Sequence, residues 1–295
     1  MREIKLKARA KINLGLDVVR KREDGYHEVR MIMQTIQMHD QIVIRQIETP
    51  EITVKTNLYY LPENEDNLVY KAAKLLREEF NLEKGVAIQL KKFIPVAAGM
   101  AGGSADAAAV LVGVNRLFRL GLSQQELMKR GVQIGADVPY CIMRGTALAE
   151  GIGEKLTALP PLPKCHVLIA KPGIHVSTKF VYTNLKADEL KEHPDIDGQL
   201  LAIQKGDLKK VASLMGNVLE TVTISTYPII GTIKAEMMKY GALNALMSGS
   251  GPTVFGLFDD QTKAKVAYEK LRCGNLAKQV YLTAVHYNGG QTNDR

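Results

Sequence analysis

No stretch of this 295-residue sequence approaches the roughly 18 consecutive apolar residues that a membrane-spanning helix requires. Its first residues, Met1-Arg2-Glu3-Ile4-Lys5, alternate charged and apolar side chains and lack the apolar core of a secretion signal. They predict an opening β-strand and a chain that stays in the cytoplasm. Cysteine is scarce: Cys141, Cys165 and Cys273 are widely separated and odd in number. That excludes a disulfide framework and any zinc-ligand spacing, and predicts reduced, mostly buried thiols. Aromatic residues reach only 6%, and the lysines and arginines are scattered among acids rather than gathered in runs. The net charge of +8 therefore comes with no RNP-like, zinc-finger or basic-zipper pattern. Such a charge also suits an enzyme whose ligands are polyanions, nucleotides among them. Internal repeats and low-complexity segments are absent too.

What is present is the balance of a soluble globular protein, 46% hydrophobic and 24% charged, long enough for one large domain or two ordinary ones. The first third reads as strand-rich: residues 4–8, 14–19, 41–44, 51–55 and 86–90, with a polar loop over 20–25 and one helix over about 67–80. A glycine- and alanine-rich loop then feeds a helix over 104–118. A second helix begins at Ser123, where Ser123 and Glu126 form a capping box, and stops near Gly135. Leu159-Pro160-Pro161-Leu162-Pro163 is dense in proline and marks a domain boundary near residue 160. Beyond it come a strand at 166–170, helices around 199–220 and 228–240, then strand 253–258, helix 262–272 and strand 280–285. Residues 150–154 read as a hairpin turn. The fold class is α+β in two parts, 1–160 and 161–295.

The most informative stretch is Pro95-Val96-Ala97-Ala98-Gly99-Met100-Ala101-Gly102-Gly103-Ser104-Ala105. A phosphate needs many N–H donors brought close, and large side chains would block them. Small residues ahead of a helix N-terminus supply a backbone cradle and the positive end of the helix dipole. Ser104 is placed to cap the helix and to offer a hydroxyl to phosphate or Mg²⁺. The loop is not a Walker A motif, because no Gly-Lys-Ser/Thr closes it. Tight packing of a helix on a sheet is the other reading of such small residues.

Together with Ala8-Arg9-Ala10-Lys11-Ile12-Asn13-Leu14, Gly135-Ala136-Asp137-Val138-Pro139 and Met247-Ser248-Gly249-Ser250-Gly251-Pro252-Thr253, this loop resembles the GHMP kinase superfamily. That family is named for galactokinase, homoserine, mevalonate and phosphomevalonate kinases. The resemblance covers nearly the whole chain in order. It implies a two-domain α+β fold, the N-terminal part like a ribosomal-protein domain and the C-terminal part ferredoxin-like. It also implies ATP and Mg²⁺, and transfer of a phosphoryl group to an alcohol. Arg22-Glu23-Asp24-Gly25-Tyr26-His27 points to the branch whose alcohol is a cytidyl diphosphate, rather than to mevalonate or homoserine kinases. The implied partner is that small molecule, not nucleic acid or membrane, and the chain is expected as a monomer or weak homodimer.

Residue by residue, the resemblance makes Asp137 the base and Lys11 its cationic partner, while residues 95–105 hold ATP. Asn13 shares Lys11's side of the strand and faces the substrate. Tyr26 is expected to stack on cytosine and His27 to read its edge. Ser177, Thr178 and Tyr182 are expected across the pocket, and Ser248 and Gly249 beside the phosphates. The loop departs from the family at Met100, Ala101 and Ala105. Ala101 is expected to avoid positive φ, and the loss of a hydroxyl at Ala105 leaves Ser104 or water to meet the metal. A non-catalytic nucleotide- or RNA-binding protein is the rival from another class, and retention of both Lys11 and Asp137 argues against it.

Overall fold

The computed structural model describes residues 2–287. Two long strands dominate its first half: β1 (Glu3–Lys21) and β2 (His27–Ile47) pair antiparallel along their whole lengths. The sequence suggests separate short strands at 4–8 and 14–19, yet residues 8–16, where Arg9, Lys11, Asn13 and Gly15 alternate with apolar residues, form part of one continuous strand. Layers cover both faces of the sheet there: every residue from Ala10 to Leu16 is buried, polar ones included. β3 (Ile52–Thr56), α1 (Leu68–Glu79) and β4 (Gly85–Lys91) follow, and the sheet runs β3-β4-β2-β1.

Next come α2 (Gly102–Phe118), α3 (Gln124–Gly131) and the short α4 (Val138–Met143), then the hairpin β5 (Thr146–Gly151) and β6 (Lys155–Ala158) that pairs onto β2. The capping box at Ser123 and Glu126 forms as its sequence requires. α2 packs beside α1 and against β1, burying its alanine-rich face.

The second half holds β7 (His166–Lys171), α5 (Thr178–Asn184), α6 (Ile196–Gln204), α7 (Leu208–Ser213), β8 (Gly216–Asn217), α8 (Glu220–Thr226), α9 (Ile229–Lys239), β9 (Asn244–Met247), β10 (Val254–Phe258), α10 (Gln261–Cys273) and β11 (Gln279–Ala284). Its own antiparallel sheet has the order β11-β7-β10-β9. The helix expected over 199–220 is instead three helices and a strand. Gly206 takes a positive φ that stops α6, and the Asp207 carboxylate caps α7. At Asn217 the chain is extended, pairing parallel to β1, and the Asn217 amide donates to the carbonyls of Met247 and Gly249, 2.8 Å each. β8 thus joins the first sheet, and one bridge, Ile36 to Val285, links strand β2 to the end of the second half.

Candidate active site

β1 is irregular around Lys11 and Asn13. Its register against β2 shifts between Arg9 and Lys11 and again between Asn13 and Gly15, and such bulges re-aim side chains. Lys11 and Asn13 lie on one face, as their spacing dictates, and the Lys11 ammonium donates to Asn13 Oδ1 at 2.7 Å. The Lys11 side chain is nearly sealed from water. Its Nζ lies 3.8 Å from Asp137 Oδ2, too far for a good hydrogen bond. Asp137 occupies the N-cap position of α4, with Pro139 in the first turn, yet its side chain makes no capping bond. The carboxylate is thus attracted by a buried cation and retains acceptor capacity.

The loop before α2 meets this pair through its backbone: Lys11 N donates to the Met100 carbonyl at 3.2 Å. Ala97, Gly99 and Ala101 all have positive φ, at 49°, 71° and 54°. The expectation that Ala101 avoids this region is therefore wrong. Its strain, of order 1 kcal/mol, is outweighed by tethers on both sides. The Ser248 hydroxyl donates to the Gly99 carbonyl at 2.9 Å, and Ala98 and Met100 are buried in the core. At Gly99 a Cβ would collide with the Ser248 carbonyl, so glycine is required there for space as well as φ.

Ser104 does not cap α2, contrary to expectation. Ala101 holds the N-cap position and Ser104 is the third helical residue. The first helical bond runs from Ala105 N to the Ala101 carbonyl, so the N–H groups of Gly102, Gly103 and Ser104 have no helical partner.

A cavity of about 710 Å³ is lined by Lys11 and Asp137 together with Gly99, Ala101 and Ser104 from the loop, and by Tyr26, His27, Thr178, Tyr182 and Gly249. Pro95, Val96, Ala97, Gly102 and Gly103 line a smaller hollow of about 190 Å³ beside Leu61, Pro62 and Asn67. The loop is thus a wall between two spaces. Ala98, Met100 and Ala105 are buried and line neither. A third concavity, about 390 Å³ between β1 and α2–α4, contains none of the expected site residues.

At the aromatic end, the His27 and Tyr182 rings meet with centroids 5.2 Å apart, tilted by 43°. Tyr26 is mostly exposed on the rim. Burial, and then the charge of Lys21, hold the His27 pKa below its ordinary 6.5, so the ring stays neutral near pH 7, with one donor and one acceptor nitrogen. Burial, with Asp137's charge, pushes the Tyr182 hydroxyl up. Thr178 reaches the cavity and shares a 2.8 Å hydrogen bond with Ser250. Ser177 does not: its hydroxyl caps α5 by accepting from Phe180 N. Asn13 and Ser248 stand behind the lining, acting on Lys11 and Gly99.

Sequence reasoning missed Lys21, Lys179 and Thr183, which also line the cavity, whereas Ser250, in the glycine-rich segment expected beside the site, lines it too. It also missed a buried cluster, Lys92 with Asp40 and Asp106. A signal existed for the last: Asp106 is a lone charge flanked by alanines on an apolar helix. Cys141, Cys165 and Cys273 are free, the first two buried and the third exposed. Among the described residues no helix is long and apolar enough to cross a membrane.

Comparison with known proteins sharpens this picture. The pattern of the GHMP kinases N terminal domain matches residues 67–145, and that of the GHMP kinases C terminal matches residues 200–277. The 4-diphosphocytidyl-2-C-methyl-D-erythritol kinase of Lachnospira eligens is 59% identical over 283 residues, covering 96% of this chain and 98% of that protein. The kinase of the same name from Lachnoclostridium phytofermentans is 59% identical over 280 residues, covering 95% and 96%. A crystal structure of 4-(cytidine 5'-diphospho)-2C-methyl-D-erythritol kinase superposes with a TM-score of 0.83 at 31% identity, covering 96% of this chain and 99% of that one. Homoserine kinase from Cytophaga hutchinsonii, at 20% identity and a TM-score of 0.77, shares the fold. With both matched segments in order and relatives aligned over nearly their full length, the chain belongs to the GHMP kinase family.

Proposed function

We propose that this protein transfers the γ-phosphoryl group of ATP to the 2-hydroxyl of 4-diphosphocytidyl-2-C-methyl-D-erythritol, a step in non-mevalonate isoprenoid precursor biosynthesis in the cytoplasm. One observation carries the reading: a buried ammonium and an uncapped carboxylate face one cavity that has phosphate-loop residues on one side and an aromatic pair on another. The names of its relatives point the same way.

Phosphoryl transfer asks mainly for alignment and charge compensation. Asp137 takes the proton of the acceptor hydroxyl. The oxygen then bonds to the γ-phosphorus as the bond to the β–γ bridging oxygen breaks, and ADP leaves with that electron pair. Lys11, held by Asn13, offsets charge on the acceptor oxygen and on the moving phosphoryl group. The N–H groups of Gly102, Gly103 and Ser104, with the α2 dipole, receive phosphate oxygens. The neutral His27 ring reads the cytosine edge, while Tyr26 on the rim offers a stacking face. Residues 1–160 supply the loop and the pair, and 161–295 complete the cleft through α5 and the 248–250 turn.

Among the described residues no group of three or more His, Cys, Asp or Glu side chains could cage a metal. That fits Mg²⁺ carried by nucleotide phosphates, which uses few protein ligands. The Ser104 hydroxyl would meet it, and bound Mg²⁺ would neutralise phosphate charge. The test is incubation with ATP, Mg²⁺ and the cytidyl diphosphate alcohol. The expected result is ADP and a product heavier by one phosphate. Turnover of mevalonate or homoserine, with none of the cytidyl substrate, would assign the site to another GHMP kinase activity.

A further inference from the structure

Beneath the phosphate loop lies an ionic cluster that the reaction above does not use. Lys92 follows β4, and its ammonium is enclosed by two carboxylates: Asp40 Oδ2, and Asp106 Oδ2 at 2.6 Å. All three side chains are buried. Asp40, on β2, also accepts from the backbone N–H groups of Phe93 at 2.5 Å and Ile94 at 2.8 Å. The entrance of the loop is therefore tied to the central sheet. Asp106 lies one turn into α2, so the same ammonium also holds the exit of the loop. The Lys92 backbone is fixed in turn by Asn57, whose side chain accepts from Lys92 N at 2.7 Å and donates to Lys92 O at 3.2 Å.

Gly102 belongs to this arrangement. Its φ is not in the left-handed region, but a Cβ there would come within 3.1 Å of Ile94 Cγ2 and 3.2 Å of Lys92 Nζ. The glycine leaves room for an ammonium under the first turn of α2. A cation beside a helix N-terminus is disfavoured by the dipole, so something must hold it there, and the two carboxylates do.

We propose that Lys92 is a positioning residue for the nucleotide: by bridging Asp40 and Asp106 it locks both ends of the phosphate loop, so that the loop and α2 N–H groups meet ATP in one geometry. This rests on the reading of that loop as the phosphate site. The two acids have unequal parts. Asp40 takes three donors, two of them backbone N–H groups at the loop entrance. Asp106 takes only Lys92, and its Oδ1 is buried with no partner among the described residues. Burial pushes the Asp106 carboxyl well above the usual carboxylate range. Burial alone would lower the Lys92 pKa, but the two acids raise it. What Asp106 gives Lys92 is one acceptor oxygen, a part that an amide can fill.

The test is ATP affinity by titration calorimetry on the full chain, alongside steady-state kinetics. Lys92→Met is expected to weaken ATP binding about tenfold or more, while the KM for the alcohol moves less than about twofold. Asp106→Leu, which removes the acceptor, is expected to weaken ATP binding similarly. Asp106→Asn, which restores it, is expected to bring the Kd back to within about threefold of the parent. Unchanged ATP affinity in Lys92→Met and Asp106→Leu would overturn the proposal, as would equal losses in Asp106→Asn and Asp106→Leu. If Lys92→Met does not fold, the Asn and Leu pair decides alone. Failure of the parent to phosphorylate the cytidyl alcohol would refute the assigned substrate, yet the ATP titrations would still decide the role of Lys92.

Discussion

Two lysine–aspartate arrangements flank the loop before α2, and they differ in how tightly they are bound. Lys92 is gripped by two carboxylates out of reach of water, with hydrogen bonds at or near their minimum length. Lys11 leans on Asn13 instead, leaving Asp137 3.8 Å away and about a third exposed on the cavity wall. A cluster sealed from water presents no group to a ligand and can only hold the chain in place. A loose pair keeps an acceptor free while its charges still feel each other, as proton transfer to a carboxylate requires. Under the proposed function, the contrast separates residues that shape the site from residues that act in it.

The sharpest way to break that comparison is Asp137→Asn. Turnover is expected to fall by roughly 10²–10⁴, with ATP affinity by calorimetry little changed and the fold intact. Unchanged turnover would remove Asp137 from the role of base. A smaller effect, read as stability, is expected on the buried side. Asp106 has its folded pKa raised above the unfolded 3.8. The folded chain therefore holds a proton that the unfolded chain gives up, and stability drains away as pH rises above 3.8 toward the folded value. Asp106→Asn, facing only Lys92 and Asp40, lacks that loss. Its melting temperature should exceed the parent's near pH 8, with the difference closing toward pH 4. The smallest effect concerns the loop between the two pairs. Ala101→Gly should relieve left-handed strain and change stability by no more than about 1 kcal/mol in a denaturant melt.

Much of the placement of the Lys11–Asp137 pair was legible in the sequence, while the roles proposed for it came from the family resemblance. Period-two spacing puts Lys11 and Asn13 together, a proline-stiffened turn carries Asp137, and the small residues before α2 fitted either a phosphate cradle or tight helix packing. The holding side was not legible. Asp40 and Asp106 lie 52 and 14 positions from Lys92, and only the packed sheet brings them together. The φ of Ala101 was misjudged for the same reason: propensity speaks for an isolated residue, whereas contacts from Ser248 and Lys11 decide the loop. Ser104 looked like a cap because serine favours that position, yet α2 starts two residues earlier. The single helix expected over 199–220 failed at Gly206 and Asn217, where a positive φ and a distant carbonyl pair overrode periodicity.

The most direct measurement is a crystal structure with a non-hydrolysable ATP analogue and the cytidyl diphosphate alcohol bound together. The acceptor oxygen is predicted within about 3.2 Å of an Asp137 carboxylate oxygen, with Lys11 Nζ beside it and the γ-phosphate over the α2 N-terminus. An acceptor oxygen bound away from both side chains, with phosphates off the loop, would contradict the account.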